Sequence, residues 1–295
     1  MDHSDAGSPS SGISALKLTD RSIGATLIDA GRLKAGDAEQ VLRLQREQGL
    51  RFGDAALKLG LISQADIDFA LSRQFDYPYL VRGQSAVSEE VIAAYAPSTP
   101  QVESLRALRS QLTLRWFDTD PAHKALAVVS AERKEGRSFI AANLAVVFSQ
   151  LGEHTLLIDA DMRNPCQHRL FGLDNRAGLS AVLSGRAGPE TIKRIPSLRD
   201  LSVLPAGAQP PNPAELLARP LFPRLLHELA KTYYAIILDT SAAGETGDAQ
   251  TVTVRAGSAL IVVRKNASRL WQVRGIADHA GQTNATIVGT VLNDF

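Results

Sequence analysis

The run 128–138, VVSAERKEGRS, constrains the fold more than any other segment. An apolar strand enters a loop ending Gly136, Arg137, Ser138, and an apolar helix pattern follows. A phosphate-binding loop of the form GxxxxGK[ST] ends Gly-Lys-Ser at a helix start, where free backbone N–H groups hold an anion. One helix later, LLIDADMR at 156–163 delivers Asp159 and Asp161 from a second strand. Strand, loop, helix and acidic strand together predict a nucleotide site with magnesium. The basic residue neutralises phosphate and Ser138 ligates the metal. Two positions depart from the pattern: Ala131 stands at the first glycine and Arg137 at the lysine. Arginine keeps the charge but carries it on a planar fork that favours bidentate partners.

The 295 residues, 44% hydrophobic, suffice for a full core and a second small domain. Lys plus Arg total 32 against 31 Asp plus Glu, so the net charge of +1 gives no overall reason to expect nucleic acid or an anionic membrane. The single cysteine, Cys166, excludes an internal disulfide framework and a multi-cysteine metal site. No apolar run reaches the roughly 20 residues of a membrane helix, and the start has no signal-peptide pattern. A cytoplasmic protein with no direct membrane span is the expectation.

Residues 1–20, rich in Ser, Gly and Asp, read as a flexible tail. An internal repeat follows: 22–45 and 51–74 are offset by 29 positions (53 minus 24). Gly24 matches Gly53, Gly31 matches Gly60, Asp37 matches Asp66, Leu42 matches Leu71 and Gln45 matches Gln74. Each unit reads as a helical hairpin, and together they form a small all-α domain at 21–80. The two units resemble the RLGxxLxxxG(L/I)xxxxLxxxLxxQ repeats of the MshEN-type module. That resemblance implies cyclic di-GMP binding, carried by Gly24 and Gln45 in the first motif and by Arg51, Gly53 and Gln74 in the second. The first motif has Ser22 where arginine is expected and Arg32 at its branched position. The alternative is a purely structural docking domain.

The Pro, Gly and Ser content from Phe75 to about Gln101 suggests a linker, bounded at 81–101, and Tyr77, Tyr79 and Tyr95 in that stretch read as accessible. Beyond it, Glu103, Arg106 and Arg109 recur every three residues on a predicted helix. AIILDTS then places Asp239 at the end of a further strand, and two later apolar runs extend the alternation to the C-terminus. A doubly wound, mainly parallel sheet of the P-loop NTPase (deviant Walker) type is predicted at 102–295.

The ExxRxxR triplet, the EGRS loop, LLIDADMRNP with HRLFGL, PPNPAELL and the ILD strand together resemble the bacterial tyrosine autokinases of exopolysaccharide synthesis, in particular the EpsG type of chain-length-determinant kinase. The resemblance implies ATP held by Lys134, Glu135, Gly136, Arg137, Ser138 and Phe139, and magnesium placed by Ser138, Asp161 and Asp239. It implies that Asp159, Asp161 and Arg137 act in transfer of the γ-phosphate to a tyrosine hydroxyl. It also implies ring formation through Glu103, Arg106 and Arg109, and a membrane chain-length determinant (a polysaccharide co-polymerase) as partner, holding the chain at the inner membrane. Ala242 stands where that family has proline, and the tail VLNDF holds no tyrosine. The acceptor is therefore expected near the linker or on another protein. Two other readings stay open: a nucleotide-gated switch with weak catalysis, gated by cyclic di-GMP, and a positioning ATPase related to the MinD group. The latter carries a lysine where this chain has Glu132.

Overall fold

The computed structural model describes residues 22–74 and 78–294, in two compact units divided at Tyr77/Pro78. The tail expected at 1–20 and Tyr77 lie outside the described residues.

The first unit holds helices α1 (Ile23–Asp29), α2 (Ala35–Gln48), α3 (Phe52–Lys58) and α4 (Gln64–Gln74). The repeats pair crosswise: α1 lies against α4 and α2 against α3, so each hairpin completes the other's core. Leu27, Leu33, Val41, Ala55, Ala56, Ile67 and Ala70 fill it. A Cβ on Gly24 would come within 2.9 Å of the Phe52 ring, and one on Gly53 within 3.1 Å of Ile67. The repeated glycines therefore serve close helix packing whatever else they do.

The second unit holds α5 (Ile92–Tyr95), α6 (Pro100–Leu112), β1 (Ala125–Val129), α7 (Arg137–Ser149), β2 (Thr155–Asp159), α8 (Gln167–Leu170), α9 (Leu179–Leu183), β3 (Lys193–Arg194) and β4 (Leu201–Leu204). It continues with α10 (Pro213–Ala218), α11 (Leu221–Leu229), β5 (Ala235–Asp239), α12 (Asp248–Ala256), β6 (Ser258–Arg264), α13 (Leu270–Gln282) and β7 (Thr286–Asn293). The sheet order is β3-β4-β2-β5-β1-β6-β7, parallel except for β3 against β4. This is the doubly wound sheet predicted.

Strand alternation feeds two cores, one per face. Leu126, Val128, Leu157 and Ile237 point to the side of α7, and Ala127, Val129, Ile158 and Leu238 to the other. Covered on both faces, the strands read as continuous apolar runs. Helix α7 is buried almost throughout because α5 and α6 pack over it.

That cover corrects the linker expectation for 81–101. Val87, Val91, Ala93, Ala94 and Tyr95 belong to the main core. Asn143 of α7, fully buried, accepts from the Ala93 N–H at 2.9 Å and donates to the Glu90 and Phe139 carbonyls. Gln150 donates to the carbonyls of Pro78 and Ala93. One polar side chain within this apolar helix and one at its C-cap thus supply the partners the irregular segment needs, and it folds down rather than extending. The Tyr95 hydroxyl donates to the Val87 carbonyl from a buried position. Residues 78–80, assigned from sequence to the helical module, belong to the second unit as well.

Candidate functional site

Three carboxylates meet at the C-terminal edge of the sheet. Asp159 and Asp239 end adjacent strands in direct register, and Asp161 follows two residues after β2. Open α/β sheets bind ligands at this edge, where loops and helix N-termini converge. Asp159 is fully buried and both its oxygens receive backbone donors. Oδ1 takes the Asp161 N–H at 3.2 Å, and Oδ2 the Cys166 and Gln167 N–H groups at 3.0 and 2.9 Å. Its carboxylate therefore shapes the turn into α8. Burial, reinforced by the charge of Asp239, pushes its pKa well above the usual carboxylate range. Asp161 accepts from the Arg163 and Asn164 N–H groups through Oδ1, which leaves Oδ2 facing the site.

Asp239 is fully buried, and Gln167 Nε2 donates to its Oδ2 at 2.8 Å. Burial raises its pKa, while Arg137 opposes the shift. Gln167 also donates to the Ser138 carbonyl at 3.1 Å, so one amide joins the phosphate-loop helix to the Asp239 strand. Asp239 Oδ1 and Gln167 Oε1 are buried without a hydrogen-bond partner. Hard oxygen donors of this kind, beside the Ser138 hydroxyl and Asp161, suit a hydrated magnesium ion.

The loop 130–136 turns through two left-handed residues, Lys134 at φ 62° and Gly136 at φ 93°. Gly136 caps α7 and turns its first N–H groups toward the site. The loop leans on the segment after β5, where the Ala243 and Gly244 N–H groups donate to the Ser130 and Ala131 carbonyls, both at 2.9 Å. A Cβ at Gly244 would come within 2.9 Å of the Ala131 oxygen, so that approach requires glycine.

The residues expected to bind nucleotide divide by role. Glu135 turns inward: it accepts from the Glu132 N–H at 2.8 Å and from the Ser268 hydroxyl, bracing the loop. Lys134 is exposed and its carbonyl accepts from Arg264. Phe139 packs on the core beside a cavity of about 300 Å³ lined by Ser88, Glu90, Ser138, Cys166 and Arg169. Burial raises the Cys166 thiol pKa and keeps it protonated. Arg137, expected at the phosphates, is 8% exposed and turns toward Asp161 and Asp239, each 3.5 Å away.

Of the ridge on α6, Arg106 pairs with Glu103 and donates to the Pro97 carbonyl, and Arg109 donates to the Val147 carbonyl. Both arginines tie α6 to its own chain, while the Glu103 side chain stays 61% exposed. In the helical unit Arg51 is exposed and Gln45 and Gln74 are half-buried. Arg32 pairs with Asp66 at 2.7 Å and lies 4.0 Å above the Phe69 ring, locking one repeat to the other. The expectation of accessible linker tyrosines fails for Tyr79 and Tyr95, which are half-buried and buried. Burial and Asp118, which accepts from its hydroxyl at 2.8 Å, push the Tyr234 pKa up to about 12.

Gln167, Ser130 and the Arg163–Asp248 pair escape sequence reading. Arg163 and Asp248 are 85 positions apart and meet only because β2 and β5 are neighbours. For Gln167 the one available signal is its place just before HRLFGL, after the acidic strand.

No family model matches the chain. It is 32% identical over 209 residues to the tyrosine-protein kinase YwqD of Bacillus subtilis (strain 168), covering 71% of this chain and 87% of that protein. It is 32% identical over 200 residues to the putative tyrosine-protein kinase CapB of Staphylococcus aureus, covering 67% and 86%. The kinase domain of the Escherichia coli tyrosine kinase ETK superposes with a TM-score of 0.66 at 29% identity, over 72% of this chain and 84% of that one.

Proposed function

Because the chain belongs to the family of bacterial tyrosine-protein kinases, we propose that it transfers the γ-phosphate of ATP to a tyrosine hydroxyl and thereby regulates assembly and export of an exopolysaccharide. The convergence of Ser138, Asp161 and Asp239 at the N-terminus of α7 supports this reading best, since transfer of this kind needs phosphate, metal and acceptor positioned together. The first N–H groups of α7 and exposed Lys134 receive the phosphates. Ser138, Asp161 and Asp239, with the Gln167 oxygen behind them, hold the magnesium, which supplies neutralisation of the phosphate charge. Asp161, through the Oδ2 that faces the site beside Arg137, takes the proton of the incoming phenol. Asp159 fixes the turn that aims Asp161.

Every described tyrosine is wholly or partly buried, which favours an acceptor on another protein. The partner in this reading is a membrane chain-length determinant that holds the chain at the inner membrane. Subunits associate through the exposed Glu103 face of α6, with Arg106 and Arg109 bracing that helix. In the alternative reading, a catalytically weak nucleotide switch, cyclic di-GMP bound by the helical unit through Arg51, Gln45 and Gln74 gates the assembly.

The test is incubation with γ-labelled Mg-ATP, an acceptor peptide and the membrane partner, counting label on tyrosine and as free phosphate. Label on tyrosine that vanishes in the Asp161→Asn, Asp239→Asn double variant supports the kinase. Turnover unchanged in that variant rejects the site. Equimolar ATP binding without turnover favours the nucleotide-gated switch, a reading to which the inward turn of Arg137 lends support.

A further inference from the structure

The residue that departs most from an ordinary phosphate loop is also the buried cation of the site. Arg137 begins α7, where an anion would meet the helix N-terminus, yet its guanidinium turns away toward the sheet edge. Nη1 donates to the Ser130 hydroxyl at 2.8 Å, Nη2 lies 3.5 Å from Asp161 Oδ2, and Nε lies 3.5 Å from Asp239 Oδ1. Nε and Asp239 Oδ1 are both buried, and neither has a hydrogen-bond partner. The contact is one of charge without an aligned hydrogen bond, so parting the two groups sacrifices little directional bonding. A guanidinium stays charged at every working pH, and its fork reaches three oxygens that one ammonium could not span.

We propose that Arg137 is a built-in counter-charge for the metal carboxylates. In the nucleotide-free protein its guanidinium stands as the cation between Asp161 and Asp239. Magnesium alone must compete with it for the same oxygens and binds poorly. Nucleotide phosphates at the start of α7 draw the guanidinium out by offering oxygens of higher charge, and the carboxylates are then released to the metal. Arg137 is thus a positioning residue that makes metal and nucleotide bind together, and Ser130 is its anchor. The inference rests on the reading of this cluster as the Mg-ATP site.

The test uses the full chain, stripped of metal, and Mn²⁺ as the probe, with the free ion read by electron paramagnetic resonance. Wild type without nucleotide should bind Mn²⁺ weakly, and Mg²⁺ should leave its melting temperature unchanged. Arg137→Gln should bind Mn²⁺ at least about tenfold more tightly. Its melting temperature, lowered in EDTA because the buried carboxylates lose their cation, should rise on adding Mg²⁺. Ser130→Ala, a milder change, should raise Mn²⁺ affinity severalfold and keeps the test decisive if Arg137→Gln fails to fold. Equal Mn²⁺ affinity in wild type and both variants overturns the counter-charge role. Tight Mn²⁺ binding by nucleotide-free wild type overturns it too. Binding of Mn²⁺ with a non-hydrolysable ATP analogue is measured alongside. If wild type takes up that complex while the variants gain nothing, only this inference falls, whereas no uptake removes the nucleotide site on which it rests.

Discussion

Replacing Arg163 with methionine should destabilise the larger unit by about 2–3 kcal/mol. Arg163 Nε donates to Asp248 Oδ2 at 2.7 Å and Nη2 to Oδ1 at 3.3 Å, a bidentate pair. The Asp248 side chain is 3% exposed, and removing its partner strands a buried charge, which costs about 3–5 kcal/mol in fully buried pairs. Two features reduce that figure here. The Arg163 side chain is 34% exposed, so water can enter where the guanidinium was. Asp248 also opens α12, whose N-terminal dipole returns about 0.3–1 kcal/mol. Asp248→Asn, which deletes the charge and keeps an acceptor, should cost only about 1 kcal/mol. In that background Arg163→Met should cost less than half of its value in wild type, because the charge it strands is gone. Urea unfolding followed by tryptophan fluorescence isolates the relevant unit, since Trp116 and Trp271, the two tryptophans of the chain, both lie in it. The reasoning is refuted by a loss below about 0.5 kcal/mol, or by the same loss in both backgrounds. Asp161 accepts from the Arg163 N–H, so the pair also anchors the loop that aims Asp161, and the variant should bind Mg-ATP more weakly.

Asn143→Ala should release the segment over α7 and destabilise by about 2–4 kcal/mol, because the buried Ala93 N–H loses its acceptor. Limited proteolysis should then cut within 81–101, and continued protection there would show that apolar packing alone holds the segment. In the helical unit, burial works to raise the Asp66 pKa, but hydrogen bonds from the Ser63 backbone and side chain and from Arg32 outweigh it and bring it below 3.8. A lowered folded pKa gives stability that is complete above the unfolded value of about 3.9 and is lost as pH falls through the folded one. Acid loss of helicity below about pH 4 should therefore be shallower in Asp66→Asn. An identical acid transition in the variant would remove Asp66 from the explanation.

The parts of this protein legible in its sequence are those set by local pattern. Apolar runs with acidic ends mark β2 and β5, EGRS marks the start of α7, and the offset of 29 marks the helical repeats, because strand burial, helix initiation and hairpin geometry each leave a period or a short signature. The nearness of Asp161 to Asp239 was legible too, since neighbouring strand ends in a parallel sheet share an edge. Residues 81–101 misread because Pro, Gly and Ser report a lack of regular structure, which is as true of a segment pinned to α7 by Asn143 and Gln150 as of an open linker. Which way the side chains within the site turn is settled by packing between distant segments. Arg137 and Glu135 both sit in the loop that the sequence pattern assigns to nucleotide. Besides the local contacts to Ser130 and to the Glu132 N–H, their partners are Asp161 and Asp239 for the one and Ser268 for the other, which come from distant strands and loops whose nearness no local pattern encodes. Direction of a charged side chain is set by the sum of the fields around it, and that sum exists only once the sheet has assembled.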